Sequence, residues 1–225
     1  MIRNLYVLLC LLLPTLLVGQ QSTDPDRWES AMQSFEAEDR ENFPEPGSVL
    51  FIGSSSIKRW ETVKDDMAPL SVIHRGFGGS QMVDVIQYFD RIVLPYKPAD
   101  IVLYEGDNDI GQGKSPHRVL SDFRVFVSMI KAQLPQTRIH FIAIKPSVKR
   151  LALLEEMRMV NMMIEVYCNG DDRMNFIDIW NPVVDEEGKP HPELFVEDML
   201  HLNADGYAIW ADIIKAHLLA ARAGN

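Results

Sequence analysis

Short runs of consecutive apolar residues alternate along the chain with longer segments in which apolar residues recur every three or four positions. The short runs are typical of strands buried on both faces of a parallel sheet, and the longer segments of helices that cover such a sheet. Their alternation predicts an α/β fold, a three-layer α/β/α sandwich with a five-stranded parallel sheet. The predicted strands are 48–53, 71–76, 99–106, 138–145 and 175–180, and the predicted helices are 57–67, 81–93, 115–134, 148–168 and 203–223.

The first twenty residues have a different pattern. Arg3 precedes an apolar run from Leu5 to Val18, and small and polar residues follow it. This pattern is typical of a secretory signal, and the run is shorter than the roughly 20 residues that span a membrane. We therefore expect residues 1–20 to be a signal peptide and the protein to be secreted or periplasmic. An N-terminal membrane anchor is the alternative.

The remainder of the chain is expected to form a single domain with a short N-terminal extension. Trp28, Met32 and Phe35 have helical spacing and precede a proline-rich break, so residues 21–47 predict a helix and a loop. Nothing in the pattern divides residues 48–223 into two units, and this segment is taken as the functional domain.

Composition and charge narrow the class of protein. Apolar residues make up 47% of the chain, which suffices for a substantial core. The formal net charge of −10 argues against a nucleic-acid partner and against an anionic membrane surface. Of the two cysteines, Cys10 lies in the predicted signal and Cys168 in a predicted helix, so no intrachain disulfide is expected.

Polar clusters follow the first three predicted strands, and a fourth cluster precedes the last helix. In open parallel sheets the functional groups gather at the carboxyl ends of the strands, so these clusters are expected at one edge of the sheet. The four clusters are Ser54-Ser55-Ser56, Gly76-Phe77-Gly78-Gly79, Gly106-Asp107-Asn108-Asp109 and Asp198-Met199-Leu200-His201.

Each cluster supplies chemistry that acyl transfer needs, although each is weak evidence by itself. A carboxylate three residues before a histidine can orient the imidazole as a general base for a serine. Glycines let backbone N–H groups approach a bound group closely, although such a glycine run is by default only a turn. The side-chain amide of Asn108 can donate to a developing oxyanion.

Cofactor and metal sites find little support in the sequence. Asp107 and Asp109 have the alternate spacing that starts a calcium loop, but Gly111 occupies the next ligand position and no glutamate stands at the twelfth. The glycine run does not match a dinucleotide motif, and no phosphate-binding loop is present. We therefore predict no metal and no cofactor.

The four clusters, in this order, resemble the motifs of the SGNH/GDSL hydrolase family. They appear here as FIGSSS, GFGGS, GDND and DMLH, and the resemblance extends from about Val49 to Tyr207. It implies a flavodoxin-like sandwich, the SGNH hydrolase fold, in agreement with the pattern above. GFGGS and the helix after it resemble the branch related to platelet-activating-factor acetylhydrolase.

The resemblance also implies a role for particular residues. Counting from Gly53 places the family's serine nucleophile at Ser55, with Ser56 as the alternative, and puts Ser54 where the family has an aspartate. His201 would be the general base, and Asp198 would orient it. The implied oxyanion hole consists of the backbone N–H of Ser55, the N–H of Gly79, with Gly78 as the alternative, and the side chain of Asn108.

These roles imply a serine esterase that hydrolyses carboxylic esters. The implied substrates are short-acyl esters, among them acylated carbohydrates, lysophospholipids and small acyl esters. No nucleic-acid partner and no stable membrane span are expected, and the oligomeric state stays open. The alternative function is a catalytically inactive binding protein with the same fold.

Overall fold

Five parallel strands form one sheet in the computed structural model, which describes residues 26–223. The strands are β1 (Val49–Gly53), β2 (Val72–Gly76), β3 (Asp100–Tyr104), β4 (Arg138–Ile142) and β5 (Met174–Ile177). The order across the sheet is β2-β1-β3-β4-β5. This is the flavodoxin-like order of a doubly wound fold.

The first strand lies at the topological switch point of this sheet. Val49 of β1 is in register with Val72 of β2 on one side and with Asp100 of β3 on the other. The chain therefore leaves β1 in one direction for β2 and later returns to its other side as β3. Loops that follow β1 and β3 diverge at such a point and leave a crevice between them.

Helices cover both faces of the sheet, and three layers result. Along β1 and β3, Leu50, Ile52 and Leu103 belong to one hydrophobic core, and Phe51 and Val102 to the other. The helices are α1 (Glu29–Glu41), α2 (Ser55–Lys58), α3 (Val63–Asp66), α4 (Met82–Gln87), α5 (Phe89–Ile92), α6 (Asp107–Gly111), α7 (Pro116–Gln133), α8 (Leu154–Cys168) and α9 (Ala204–Ala223). The first core packs against α1, α4, α5, α7 and α8, and the second against α2, α3 and α9.

The N-terminal helix α1 docks on the first core. Met32 is fully buried there. Arg75 of β2 forms ion pairs with Glu38 and Asp39 of α1. The predicted signal peptide, residues 1–20, lies outside the described residues, so the expectation of export stays a prediction. None of the helices within residues 26–223 is long and apolar enough to cross a membrane.

A buried acidic group lies at the edge of the sheet opposite the crevice. Asp100 at the start of β3 is fully buried and forms ion pairs with Arg138 and Arg222. His140 Nε2 lies 3.0 Å from Asp100 Oδ1, and His140 Nδ1 lies 3.1 Å from His217 Nε2. His140 therefore joins Asp100 to His217 in one hydrogen-bonded series.

Several predicted elements are shorter or divided in the structure. The helix predicted over 57–67 is two short helices, α2 and α3, and the helix predicted over 81–93 is α4 followed by α5. The helix predicted over 148–168 begins as a 3₁₀ turn over Val148–Leu153 before α8. Strand β4 ends at Ile142 rather than at residue 145.

The early end of β4 has a clear cause. Beyond it, the side-chain amide of Asn161 on α8 accepts from the N–H of Ile144 at 2.8 Å and donates to its carbonyl at 2.9 Å. A side chain on a helix thus satisfies backbone groups that a neighbouring strand would otherwise pair.

Candidate active site

The crevice at the carboxyl edge of the sheet is a cleft of about 470 Å³. It lies where the loops after β1, β2 and β3 meet the loop that precedes α9. Its walls are formed by Ser55, Lys58, Arg59, Gly78, Gly79, Asn108, Leu200 and His201. Residues from all four polar clusters of the sequence are therefore brought together at this edge.

A sharp turn after β1 presents Ser55 to the cleft. Gly53 has a φ of 139°, and a Cβ there would lie 2.1 Å from the carbonyl oxygen of Tyr104, so only glycine fits. The chain then enters α2, whose first residue is Ser55. Ser54 and Ser56 are each only 2% exposed. Of the three serines, Ser55 is the one whose hydroxyl contacts an imidazole.

The loop before α9 places His201 opposite Ser55. His201 Nε2 lies 2.8 Å from Ser55 Oγ, across 146 residues of sequence, and His201 Nδ1 lies 2.6 Å from Asp198 Oδ2. A ring that donates Nδ1–H to the carboxylate presents the Nε2 lone pair to the serine hydroxyl. The three side chains thus form a continuous hydrogen-bonded series.

Backbone contacts hold this loop in place. Phe195 and Leu202 form an isolated antiparallel bridge, and Val196 N–H donates to the carbonyl of His201 at 2.9 Å. Met199 has a φ of 56°, in the left-handed region, which turns the chain between Asp198 and His201. Its carbonyl accepts from the N–H of Lys149 at 2.9 Å. The loop is therefore fixed both internally and against a neighbouring segment.

The carboxylate of Asp198 is held in its charged form. Burial raises its pKa, but hydrogen bonds from the backbone N–H and the ring of His201 and from the N–H of Leu200 outweigh burial and hold the pKa well below its usual range. The Asp198 side chain is nevertheless 42% exposed. It can therefore orient the ring and stabilise an imidazolium, although solvent screens part of its charge.

Asn108 borders the cleft on the side of β3, and its amide orientation is fixed by two partners. Its Nδ2 donates to the carbonyl of Ser80 at 2.9 Å, and its Oδ1 accepts from Arg150 Nη2 at 2.9 Å. Since arginine is only a donor, the amide oxygen must face Arg150 and the amide nitrogen must face the carbonyl of Ser80. One N–H of the amide goes to Ser80, and the second is left to donate elsewhere.

A buried ionic network supports Asn108 from below. Arg150 also donates to the carbonyl of Asp107 at 2.7 Å and forms an ion pair with the Asp107 carboxylate. Lys145, which is fully buried, pairs with the other oxygen of Asp107 at 3.0 Å. Burial raises the pKa of Asp107, but these two cations outweigh it and hold that pKa below its ordinary value.

Two further acids lie beneath the site. Glu105 is fully buried, and burial and the nearby Asp109 raise its pKa well above the ordinary value. Its Oε1 lies 2.5 Å from Ser80 Oγ. Burial also raises the pKa of Asp109, which pairs with Lys114 at 2.7 Å. Ser80 therefore links the buried Glu105 to the amide of Asn108.

The glycine cluster after β2 lies against Ser55 but does not distinguish the two candidate donors. A Cβ on Gly78 would lie 3.9 Å from Ser55 Cβ, whereas Gly79 has a φ of 80° and faces Trp28. Both line the cleft. Gly79 stays the predicted oxyanion donor, with Gly78 as the alternative.

The sequence did not predict the cations around this cleft. Arg150 has no periodic or motif signal, because its contacts join distant parts of the chain, and Lys58 and Arg59 lie outside the four polar clusters. Lys145 and Tyr104 are both fully buried. Among residues 26–223, no group of three or more His, Cys, Asp or Glu side chains is placed to hold a metal ion.

Comparison with solved structures shows the fold. A Streptococcus pneumonia protein assigned as a platelet activating factor is 21% identical with a TM-score of 0.76 over 84% of this chain and 92% of that chain. A GDSL-like lipase from Bacteroides thetaiotaomicron is 20% identical with a TM-score of 0.72 over 84% and 98%. A carbohydrate esterase of family 3 from Talaromyces cellulolyticus is 16% identical with a TM-score of 0.65 over 77% and 96%. These likenesses identify the α/β/α sandwich as the SGNH hydrolase fold.

Comparison at the level of sequence shows the family. No curated protein matches the chain significantly. The model of the GDSL-like Lipase/Acylhydrolase family matches residues 52–209, a segment that runs from the end of β1 into α9 and contains every residue of the candidate site. The chain therefore belongs to the GDSL-like lipase/acylhydrolase family and is a hydrolase of carboxylic esters.

Proposed function

We propose that the protein is a serine esterase that cleaves short-acyl esters through Ser55, His201 and Asp198. One observation carries this proposal. Ser55 Oγ, the His201 ring and the Asp198 carboxylate lie in series at 2.8 and 2.6 Å, beside a cleft open to a substrate. These are the distances that proton transfer from a serine hydroxyl to an imidazole requires.

In the first half of the reaction, Ser55 Oγ attacks the carbonyl carbon of the ester while His201 Nε2 takes the hydroxyl proton. The carbonyl π electrons move to the oxygen, which becomes an oxyanion. The proposed donors to this oxyanion are the N–H of Ser55, the N–H of Gly79 and the free N–H of the Asn108 amide. The first N–H groups of a helix have no intrahelical acceptor, which leaves Ser55 N–H available.

In the second half, the tetrahedral intermediate collapses and the bond to the leaving alcohol breaks. His201 returns its proton to the alcohol oxygen, and the acyl group stays on Ser55 Oγ. His201 then takes a proton from water, the hydroxide attacks the acyl carbonyl, and the acid leaves as Ser55 recovers its proton from His201. Asp198 stabilises the imidazolium in both halves.

The cleft favours short acyl groups. Of the side chains that line it in the described part of the chain, only that of Leu200 is apolar. A long acyl chain gains binding energy by covering apolar surface, at about 25 cal/mol per Å², and this cleft offers little of it. The proposed substrate types are short-acyl esters such as acylated carbohydrates, lysophospholipids or small acyl esters.

The test is ester hydrolysis by the wild type and three matched serine variants. We expect turnover of 4-nitrophenyl acetate to exceed that of the butyrate and the octanoate. Ser55→Ala should lower kcat by about 10⁴-fold or more, whereas Ser54→Ala and Ser56→Ala should retain activity, because neither hydroxyl contacts His201. A fluorophosphonate should label only proteins that keep Ser55.

The alternative of an inactive binding protein predicts a different outcome. In that case no ester is hydrolysed and no fluorophosphonate labels the wild type. Activity that survives in Ser55→Ala and disappears in Ser56→Ala would instead move the nucleophile by one residue.

A further inference from the structure

Three cationic side chains surround the cleft. Lys58 and Arg59 line it beside Ser55, and both are exposed. Arg27, also exposed, places Nη2 3.7 Å from the position that a Cβ on Gly79 would take. We call these three residues the cationic rim. Arg27 belongs to the N-terminal extension, Lys58 is the last residue of α2, and Arg59 follows it. The rim is therefore formed by two separate segments of the chain.

No member of the rim has a carboxylate partner within ion-pair distance among residues 26–223. Arg27 lies over the ring of Trp28, at 4.6 Å from its centroid, and this ring contact leaves its charge uncompensated. Some arginines of the described chain are paired, since Arg91 pairs with two glutamates and Arg138 pairs with Asp100, whereas Arg158, like Arg27, lies over an aromatic ring. The rim therefore holds unpaired charge next to the proposed nucleophile.

The acids beneath the cleft do not cancel this charge. Asp107 lies between two cations, Lys145 and Arg150, and Asp109 pairs with Lys114. Glu105 is fully buried against Ser80, and burial raises the pKa of its carboxyl well above the ordinary value. The carboxylate of Asp198 is hydrogen-bonded to the ring of His201. The cleft is thus lined by two cations, Lys58 and Arg59, in a chain of net charge −10.

We propose that the cationic rim binds an anionic group on the substrate, so that the preferred substrates are esters carrying a carboxylate, sulfate or phosphate close to the scissile bond. This inference rests on the proposed esterase function and specifies its substrate class. Because the whole chain is acidic, it repels anions at long range, and the preference must arise from contact within the cleft.

The first experiment compares charged and neutral esters of matched shape. Mono-4-nitrophenyl glutarate against 4-nitrophenyl valerate tests a charge on the acyl side. For the alcohol side, 3-acetoxybenzoate is compared with 3-acetoxybenzamide. Rates are corrected for spontaneous hydrolysis. One unit charge at about 4 Å from another in a water-like medium changes affinity by about fivefold. With two or three rim charges, we expect the anionic member of at least one pair to have a kcat/KM at least about tenfold higher.

The second experiment removes the charges. Lys58→Gln combined with Arg59→Gln, and Arg27→Gln separately, should each lower the ratio of kcat/KM for the anionic ester to kcat/KM for the neutral ester. Lys64→Gln is the matched control, because Lys64 is an exposed lysine of α3 that does not line the cleft. Raising the salt to about 1 M, where the Debye length is about 3 Å, should also reduce the preference.

The outcomes separate this inference from the proposed function. Equal kcat/KM for the anionic and neutral members in both pairs, or a preference that survives loss of the rim charges, would overturn the anionic-substrate inference and leave the esterase function standing. A wild type that hydrolyses neither member and takes up no fluorophosphonate would overturn the esterase function, and the inference with it. A preference lost in the rim variants and kept in Lys64→Gln supports both.

Discussion

Arg150 should control catalysis through Asn108, and Arg150→Met tests this directly. Arg150 Nη2 donates to Asn108 Oδ1 at 2.9 Å, and its Nη1 donates to the carbonyl of Asp107 at 2.7 Å. The guanidinium leaves the Asn108 amide with one permitted orientation, in which its nitrogen faces the carbonyl of Ser80 and its second N–H is the proposed oxyanion donor. Methionine keeps much of the side-chain volume and removes both the charge and the donors.

The expected effect lies between two limits. A hydrogen bond to a charged group contributes about 1.5–3 kcal/mol, and loss of a complete oxyanion donor costs about 2.7–4 kcal/mol at the transition state. The carbonyl of Ser80 still holds Asn108 Nδ2 in the variant, so the donor should be misplaced in only part of the population. We therefore expect kcat to fall by about 10- to 100-fold, with KM changed by less than about threefold, because the oxyanion exists only in the transition state and intermediates.

The assay is a double-mutant cycle on 4-nitrophenyl acetate with Arg150→Met, Asn108→Ala and the combined variant. If Arg150 acts through Asn108, the arginine substitution should lower kcat by less than about threefold once the amide is absent. Arg158→Met is the matched control, since Arg158 lies on α8 over the ring of Trp180, at 4.4 Å, and contacts no residue of the site. Thermal unfolding of each variant measures the separate effect on stability.

Two results would refute this reasoning. One is an unchanged kcat in Arg150→Met. The other is an equal fold-loss of kcat in the wild-type and Asn108→Ala backgrounds, which would show that Arg150 acts by a route other than the amide, such as the stability of the network around Asp107.

Three further predictions concern glycine geometry and buried ionisable groups. Gly53→Ala should lower the free energy of unfolding, measured in urea, by at least about 3 kcal/mol, and Gly113→Ala should lower it by only about 1–2 kcal/mol. Both glycines have a positive φ, but only a Cβ at Gly53 would lie within 4 Å of a backbone atom. Equal losses in the two variants would contradict this reasoning. Because the pKa of Glu105 is raised in the folded state, the folded protein keeps this proton at pH values above 4.5, where the unfolded chain releases it. The free energy of unfolding of the wild type should therefore decline relative to that of Glu105→Gln as the pH rises above 4.5. Parallel curves for the two proteins would show that the folded state does not hold this proton. Burial and the neighbouring His140 lower the pKa of His217 to about 4 from 6.5. Between these pH values the unfolded chain binds a proton at His217 that the folded protein does not, so the free energy of unfolding falls as the pH drops from 6.5 to 4. His217→Gln should lose less stability over that range in urea unfolding, and an equal loss would disprove the prediction.

The sequence was sufficient to predict the layers of the fold and the edge of the sheet that carries the site. Consecutive apolar residues such as those of β3 are buried on both faces, and that pattern leaves few alternatives to a covered parallel sheet. The ends of elements were less predictable, because long-range side-chain contacts decide them. Asn161 on α8 ends β4, and nothing near residue 142 indicates it.

The contrast between Asn108 and Arg150 shows the same limit within the site. Asn108 follows a strand and belongs to a cluster of polar residues, so its position at the edge could be inferred from the chain. Arg150 reaches it across 42 residues, from a 3₁₀ turn that was expected to be the start of a helix. A residue whose role depends on one distant partner leaves no periodic signal.

The separation between Ser55 and His201 has a consequence for the newly made protein. Chains are synthesised from the N-terminus, so the segment with Ser55 leaves the ribosome while the loop of Asp198 and His201 and the helix after it, Ala204–Ala223, are still to be made. A partly synthesised chain can form β1 to β4 and still lack its general base. Hydrolysis through the proposed Ser55, His201 and Asp198 therefore cannot begin before that loop has been made, and a chain truncated ahead of the loop has a serine without its proposed base.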